Sequence, residues 1–263
     1  MSAVEYADSG GARIAFERRG EGPPLLLIHG LGYGRWGWGP AVALLAERCR
    51  VVLFDNRGIG ASDAPPGPYS VAELAGDAFA VLDAAGIERA SVVGTSLGGM
   101  VAQQLAADRP ERVGRLVLAC TTPGGERAFP FPRGTQRLLE QAQQLEPLVA
   151  LRRFVENALA PGAPEALVEE IVALRVANPP DPVGWAAQAA AAAAFDGFDR
   201  LGEIAAPTLV LHGTADEVVD VRNAGLLAER IPDARAELVE GAGHLFFWEQ
   251  PSAFVRHVME FVG

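Results

Sequence analysis

The sequence reads as an α/β protein built on a mostly parallel sheet with helices packed on both of its faces. Two features of the 263 residues lead there. Short apolar runs alternate along the chain with longer segments of helical period, the rhythm of strand–helix–strand units. The runs are also continuously apolar, whereas a sheet with one wet face would alternate polar and apolar residues. A third feature is a break in the rhythm. Residues 123–204 hold no clear strand, so 1–122 and 205–263 are expected to form one core and 123–204 a helical insertion over it.

Taken in order, VEYAD and ARIAFERR (4–8 and 12–19) look like an opening antiparallel pair turned at Gly10-Gly11. PLLLIHG (24–30) is a strand buried on both faces, and WGPAVALLAER after it has helical spacing. RVVLFDNR (50–57) is the next buried strand. The helix expected over 70–87 opens with Ser70 as N-cap and Glu73 three residues on, the signature of a capping box. Strand 90–95, helix 97–108 and strand 113–121 follow. Within the insertion, helices are expected over 135–145, 147–159, 164–177 and 183–195, separated by PG, PP and FDGF. The strand rhythm then returns with strand 207–213, a helix around 220–231, strand 235–241 and a closing helix over 251–262.

Composition limits the possible functions. A net charge of −11 argues against a nucleic-acid partner, which would reward clustered cations. The opening MSAVEYADSGG lacks the basic-then-apolar pattern of a signal peptide, and WAAQAAAAAAFDGF is too short and too weakly apolar to span a membrane. A soluble cytoplasmic protein is expected, with Cys49 and Cys120 as free thiols in a reducing compartment. Oligomeric state is not legible.

In open α/β sheets, ligands bind beyond the carboxyl ends of the strands, so reactive side chains at those ends are the candidates. Gly94-Thr95-Ser96-Leu97-Gly98 puts a serine at a strand-to-helix junction between two glycines, the G-x-S-x-G pattern of a nucleophile held in a sharp turn. Small residues around a plain turn would look the same, so the reading depends on finding partners. A serine hydroxyl needs a base. Of four histidines, His244 lies at a strand end on the glycine-rich loop of EGAGHLFFWEQP. His257 sits in the closing helix, His212 reads as a satisfied core residue, and His29 as a hydrogen-bonding partner of nearby loop backbone. The base in turn needs a carboxylate to fix its tautomer. Asp216 in HGTADEVVD fits, with Glu126 after strand 113–121 as the rival. Oxyanion donors are expected from the backbone N–H groups of Leu97 and of Leu31 in HGLGYG.

Five stretches together, LLLIHGLG, FDNRGIGASDAPPGPYS, GTSLGGM, LHGTADEVV and GAGH, resemble the α/β-hydrolase family over essentially the whole chain. The resemblance implies an eight-stranded sheet with an antiparallel second strand and a helical cap between strands six and seven, where 123–204 falls. DNRGIGASDAPPGPYS and SLGGMVAQ look most similar to enol-lactonase-like and cofactor-free haloperoxidase- or esterase-like members. Ser96 at the nucleophile position departs from haloalkane dehalogenases and most epoxide hydrolases, which place an aspartate there.

The resulting expectation is a Ser96–His244–Asp216 serine hydrolase of a small-molecule carboxylic ester or lactone, working through an acyl-enzyme without metal or organic cofactor. A thioesterase, perhydrolase or carbon–carbon hydrolase on the same triad is the first alternative. A ligand-binding protein with an idle triad is the second. Trp36, Phe129 and Trp185 are candidate substrate-contacting residues. Phe131 and Phe195 could line the same apolar pocket or serve helix packing. Trp38 reads as packing, Asp55 and Arg57 as structural, and Arg133, Arg152, Arg153 and Arg175 as solvated helix faces or carboxylate binders.

Overall fold

The computed structural model describes residues 3–263. Its centre is an eight-stranded sheet in the order β1-β2-β4-β3-β5-β6-β7-β8. β1 (Glu5–Ser9) and β2 (Ala12–Arg19) form the expected antiparallel opening pair, and β2 also runs antiparallel to β4 (Arg50–Phe54). β3 (Pro24–Ile28), β4, β5 (Ala90–Thr95), β6 (Val113–Ala119), β7 (Thr208–Gly213) and β8 (Ala234–Val239) are mutually parallel.

Why the apolar runs are continuous is visible in β3. Leu26 and Ile28 face one core layer, while Leu25 and Leu27 face the other. Successive side chains point to opposite faces, so a strand covered on both sides needs apolar residues at every position. The first layer is closed by α2 (Val71–Ala84), α3 (Leu97–Asp108) and α8 (Arg222–Arg230). The second is closed by α1 (Ala41–Ala46), the short α9 (Phe246–Glu249) and α10 (Pro251–Val262). The capping box at α2 forms as expected: Ser70 Oγ accepts from the Glu73 N–H at 3.1 Å and Glu73 Oε2 from the Ser70 N–H at 2.9 Å.

Four helices intervene between β6 and β7: α4 (Arg133–Ala142), α5 (Pro147–Ala158), α6 (Glu165–Ala177) and α7 (Pro182–Ala194). The two ends of the insertion meet in an antiparallel bridge between Gly124 and Asp196. Ala187 and Ala191 of α7 join one core layer, and Val155 of α5 with Val168 and Ile171 of α6 join the other. The insertion therefore straddles the sheet end. Among the described residues no helix is long and apolar enough to cross a membrane.

Element boundaries differ from the sequence reading mainly at strand ends. β3 stops at Ile28, before His29 and Gly30, and β6 stops at Ala119, before Cys120 with its left-handed φ of 47°. These residues sit where the chain leaves the ladder to form the site. The helix read from WGPAVALLAER is shorter than expected, since a 3₁₀ turn over Arg35–Trp38 precedes α1.

Candidate active site

Ser96 sits between β5 and α3 with φ 54° and ψ −122°. A non-glycine residue held there costs about 1–3 kcal/mol and persists only where its surroundings impose it. Here the imposition comes from close backbone packing. A Cβ on Gly94 would lie 2.2 Å from the Gly98 carbonyl oxygen, and one on Gly98 would lie 2.0 Å from that of Ile28. The turn is further tied by the Ser96 N–H donating to Ala119 O at 3.0 Å and by Thr121 Oγ1 donating to Ser96 O at 2.7 Å.

His244 follows β8 on a loop that ends at α9. Its Nδ1 lies 2.8 Å from Asp216 Oδ2. A carboxylate only accepts, so Nδ1 carries a proton, and in the neutral ring Nε2 is left with a lone pair. Asp216 follows β7, and its side chain is fully buried. Its Oδ1 accepts from the Val218 N–H at 2.7 Å and the Val219 N–H at 2.9 Å. Burial opposes its charge, but His244 and His212 outweigh that and hold the carboxyl well below the usual carboxylate range. The rival carboxylate, Glu126, is exposed on the loop beyond β6.

Two neighbours of this carboxylate were not legible as such. His212, fully buried, lies with Nε2 3.1 Å from Asp216 Oδ2 and 3.0 Å from Val219 O. Both are acceptors, so Nε2–H is shared between them, and the apparent core histidine is a second donor to the acid. A clue was available in LHGTAD: His212 stands four positions before Asp216 across a strand-end turn. Cys120 Sγ, Asp216 and His244 offer ligating atoms within 4.8 Å of one another. Burial pushes the Cys120 thiol well up, and the adjacent carboxylate adds to this. A thiol kept protonated is a poor metal ligand, and the other two side chains already bind each other.

The loop after β3 runs beside Ser96. A Cβ on Gly30 would lie 3.5 Å from Ser96 Oγ. Among the described residues neither the Leu31 nor the Leu97 N–H has a protein acceptor in a turn, loop or side-chain bond. His29 is buried beneath this loop, with Nδ1 accepting from the Gly30 N–H at 2.7 Å and its ring stacked 4.8 Å from Tyr33. Burial pushes its pKa down to about 3, so the ring is neutral at pH 7.

The candidate contact residues separate. Trp185 of α7 lies against Gly32: its indole edge would meet a Cβ there at 2.8 Å. Trp36 stands beside Tyr33, with ring centroids 5.2 Å apart. Phe129 lies under the Arg222 guanidinium at 4.3 Å, and its backbone is held by Asn223. Of the arginines, Arg152 is paired with Glu156, Glu165 and Glu169. Arg133 and Arg153 are exposed. Arg175 turns inward: its Nη1 donates to Gly32 O at 2.8 Å, and its guanidinium covers the Tyr33 ring at 4.5 Å. Asp55 and Arg57 fix loops. Asp55 accepts from the Arg35 N–H at 2.7 Å and the Ala61 N–H at 2.9 Å, and Arg57 forms a bidentate pair with the buried Asp77.

A parallel sheet with an antiparallel second strand, an insertion after β6 and a serine in a left-handed elbow define the class. The chain belongs to the α/β hydrolase fold family, whose model matches residues 23–251, and it is a hydrolase. It is 36% identical over 271 residues to "Putative carbamate hydrolase RutD" of Azorhizobium caulinodans, covering 99% of this chain and 98% of that one. It is 31% identical over 260 residues to 3-oxoadipate enol-lactonase 2 of Acinetobacter baylyi, covering 99% of this chain and 92% of that one. Among solved structures it resembles an esterase of Rhodococcus, with a TM-score of 0.86, 30% identity and coverage of 100% and 98%.

Proposed function

We propose that the protein is a serine hydrolase of small carboxylic esters or lactones, with Ser96 as nucleophile, His244 as general base and Asp216 as the acid that orients it. The observation that carries this reading is the buried Asp216 Oδ2–His244 Nδ1 contact at 2.8 Å, which leaves His244 Nε2 ready to accept a proton. Names borne by relatives, an enol-lactonase and an esterase, support the bond class.

In the proposed cycle Ser96 Oγ attacks the carbonyl carbon as His244 Nε2 takes its proton. The carbonyl oxygen becomes an oxyanion, met by the N–H groups of Leu97 and Leu31. Collapse breaks the acyl–oxygen bond, and His244 returns the proton to the departing alkoxide. In a lactone that oxygen stays attached to the acyl group. Water then repeats the sequence on the acyl-enzyme, with His244 as base, and frees the acid and Ser96. Asp216 remains ionised throughout, stabilising the imidazolium. The insertion acts as a cap over this site, with Trp185 forming part of the pocket wall.

The test is labelling by a fluorophosphonate, followed by turnover on p-nitrophenyl esters, lactones, thioesters and carbamates. Stoichiometric modification of Ser96 and ester or lactone turnover are expected. No labelling of Ser96 in the folded protein would overturn the reading, and a preference for thioesters or carbamates would move the bond class.

A further inference from the structure

The peptide groups on either side of Gly32 are held from the insertion. The Gly32 N–H donates to Gln188 Oε1 of α7 at 3.3 Å, and Gly32 O accepts from Arg175 Nη1 of α6 at 2.8 Å. Gln188 is fully buried, and its Nε2 also donates to Arg57 O at 2.8 Å, so one side chain joins the loops after β3 and β4. Gly32 has φ +72°, and a Cβ there would strike Trp185 at 2.8 Å and Arg175 at 3.3 Å. Close by, Gly184 of α7 packs on Gly58 so tightly that a Cβ on either would approach the other's backbone to within about 2.5 Å. Among the described residues, no group of the sheet core hydrogen-bonds the Gly32 N–H or C=O. The segment's other backbone bond nearby is a long one within the loop, Tyr33 N–H to Gly30 O at 3.4 Å.

We propose that Gln188 and Arg175 are positioning residues that hold the Leu31 amide in its oxyanion-binding direction, so that the hole is complete only while α6 and α7 are seated on the core. This rests on the reading of Ser96 and Leu31 above. Physically, Leu31 lies one residue before Gly32. Pinning both peptide planes of Gly32 limits the torsions available to Leu31, and a flexible loop of glycines cannot do that alone. A donor fixed in advance stabilises the developing oxyanion without reorganising as the charge forms. When α6 and α7 lift to admit substrate, the Gly32 peptides lose their partners and the Leu31 amide loses its direction. Bond cleavage is thereby confined to the closed enzyme.

The test compares Gln188→Met and Arg175→Met with wild type, and Arg175→Lys as the variant that keeps one donor for Gly32 O. Four readouts are taken: kcat and KM on an ester that wild type turns over, affinity for a boronic acid that forms a tetrahedral adduct on Ser96, the pH profile, and hydrogen exchange of residues 30–34. Loss of a preorganised donor costs up to about 10²–10³ in kcat. Loosening one is expected to lower kcat by at least about tenfold, with KM changed less than about twofold. Boronic acid affinity should fall in step with kcat/KM, exchange at 30–34 should quicken, and the pH profile should stay put because His244 and Asp216 are untouched. Arg175→Lys should recover most of the loss. Unchanged kcat and exchange in variants that still label with fluorophosphonate would overturn this proposal and leave the Ser96 reading standing. So would raised KM at constant kcat, which would make the two residues substrate binders. Failure of wild type to label would overturn both. If Gln188→Met does not fold, the Arg175 pair decides the question.

Discussion

Replacing Asp216 by Asn tests the core of the proposed site. Four donors converge on this carboxylate: the Val218 and Val219 N–H groups on Oδ1, and the His244 and His212 ring N–H groups on Oδ2. An amide has one oxygen, so in either orientation its NH₂ faces one of the two sets of donors. If the oxygen stays on the two backbone amides, the new NH₂ faces His244 and drives it to the tautomer with a protonated Nε2, which cannot accept from Ser96. If the amide flips, NH₂ meets the two backbone N–H groups. The first orientation loses imidazole bonds to a charged acceptor, worth about 1.5–3 kcal/mol each, so stability is expected to fall by roughly 3 kcal/mol or more. That is within the reserve of an ordinary domain. The catalytic cost is larger. The corresponding change in serine proteases lowers kcat on the order of 10⁴-fold, equivalent to roughly 5 kcal/mol of transition-state stabilisation. Glu126→Gln, on an exposed loop, should cost less than about tenfold, the scale of a local field change. The assay is kcat on a p-nitrophenyl ester for both variants, with circular dichroism to establish folding. A folded Asp216→Asn protein within tenfold of wild type would refute the reasoning, and a large loss in Glu126→Gln beside it would move the acid to the loop after β6.

Three further outcomes are expected. Ser96→Ala should lower kcat by at least about 10³-fold while retaining substrate binding and the melting temperature to within a few degrees, measured by calorimetry with and without ligand; substantial residual turnover would remove Ser96 as nucleophile. His29 has a folded pKa of about 3, below its unfolded value of about 6.5, so its contribution is complete above that higher value and is lost as pH falls through the window. The unfolding free energy from urea titrations between pH 6.5 and 4.5 should therefore decline by roughly 1.4 kcal/mol per pH unit from this ring, and His29→Gln should flatten the decline; an equally steep curve in the variant would exclude His29 as the cause. Residues 123–204 should exchange amide hydrogens faster than β3 to β7, because a cap must open for substrate entry, and equal protection would sink the lid reading.

Much of this protein was written in short windows of sequence. Continuous apolar runs marked strands buried on two faces because side chains alternate, and that requirement is local to each strand. The elbow at Gly94–Gly98 was equally readable, since the close backbone approaches that exclude a Cβ lie within the strand-turn-helix itself or against the neighbouring β3. Ser70 and Glu73 announced the start of α2 for the same reason: both partners lie within one helical turn.

What the windows could not hold was contact between distant segments. Asp216 and His244 are 28 residues apart, and Gln188 reaches Gly32 across 156. A glutamine inside an alanine-rich helix carries no sign of the loop it will join, and Arg175 read as a solvated face or a carboxylate binder until α6 was set against Gly32. His212 looked like core because it sits in a buried strand; only the turn of the chain after β7 brings its ring to the acid. Local sequence specified which elements form and which side chains stand at strand ends. The tertiary structure decided which of those side chains meet, because a hydrogen bond tolerates only a few tenths of an ångström in its donor–acceptor separation, which is set by how the layers pack.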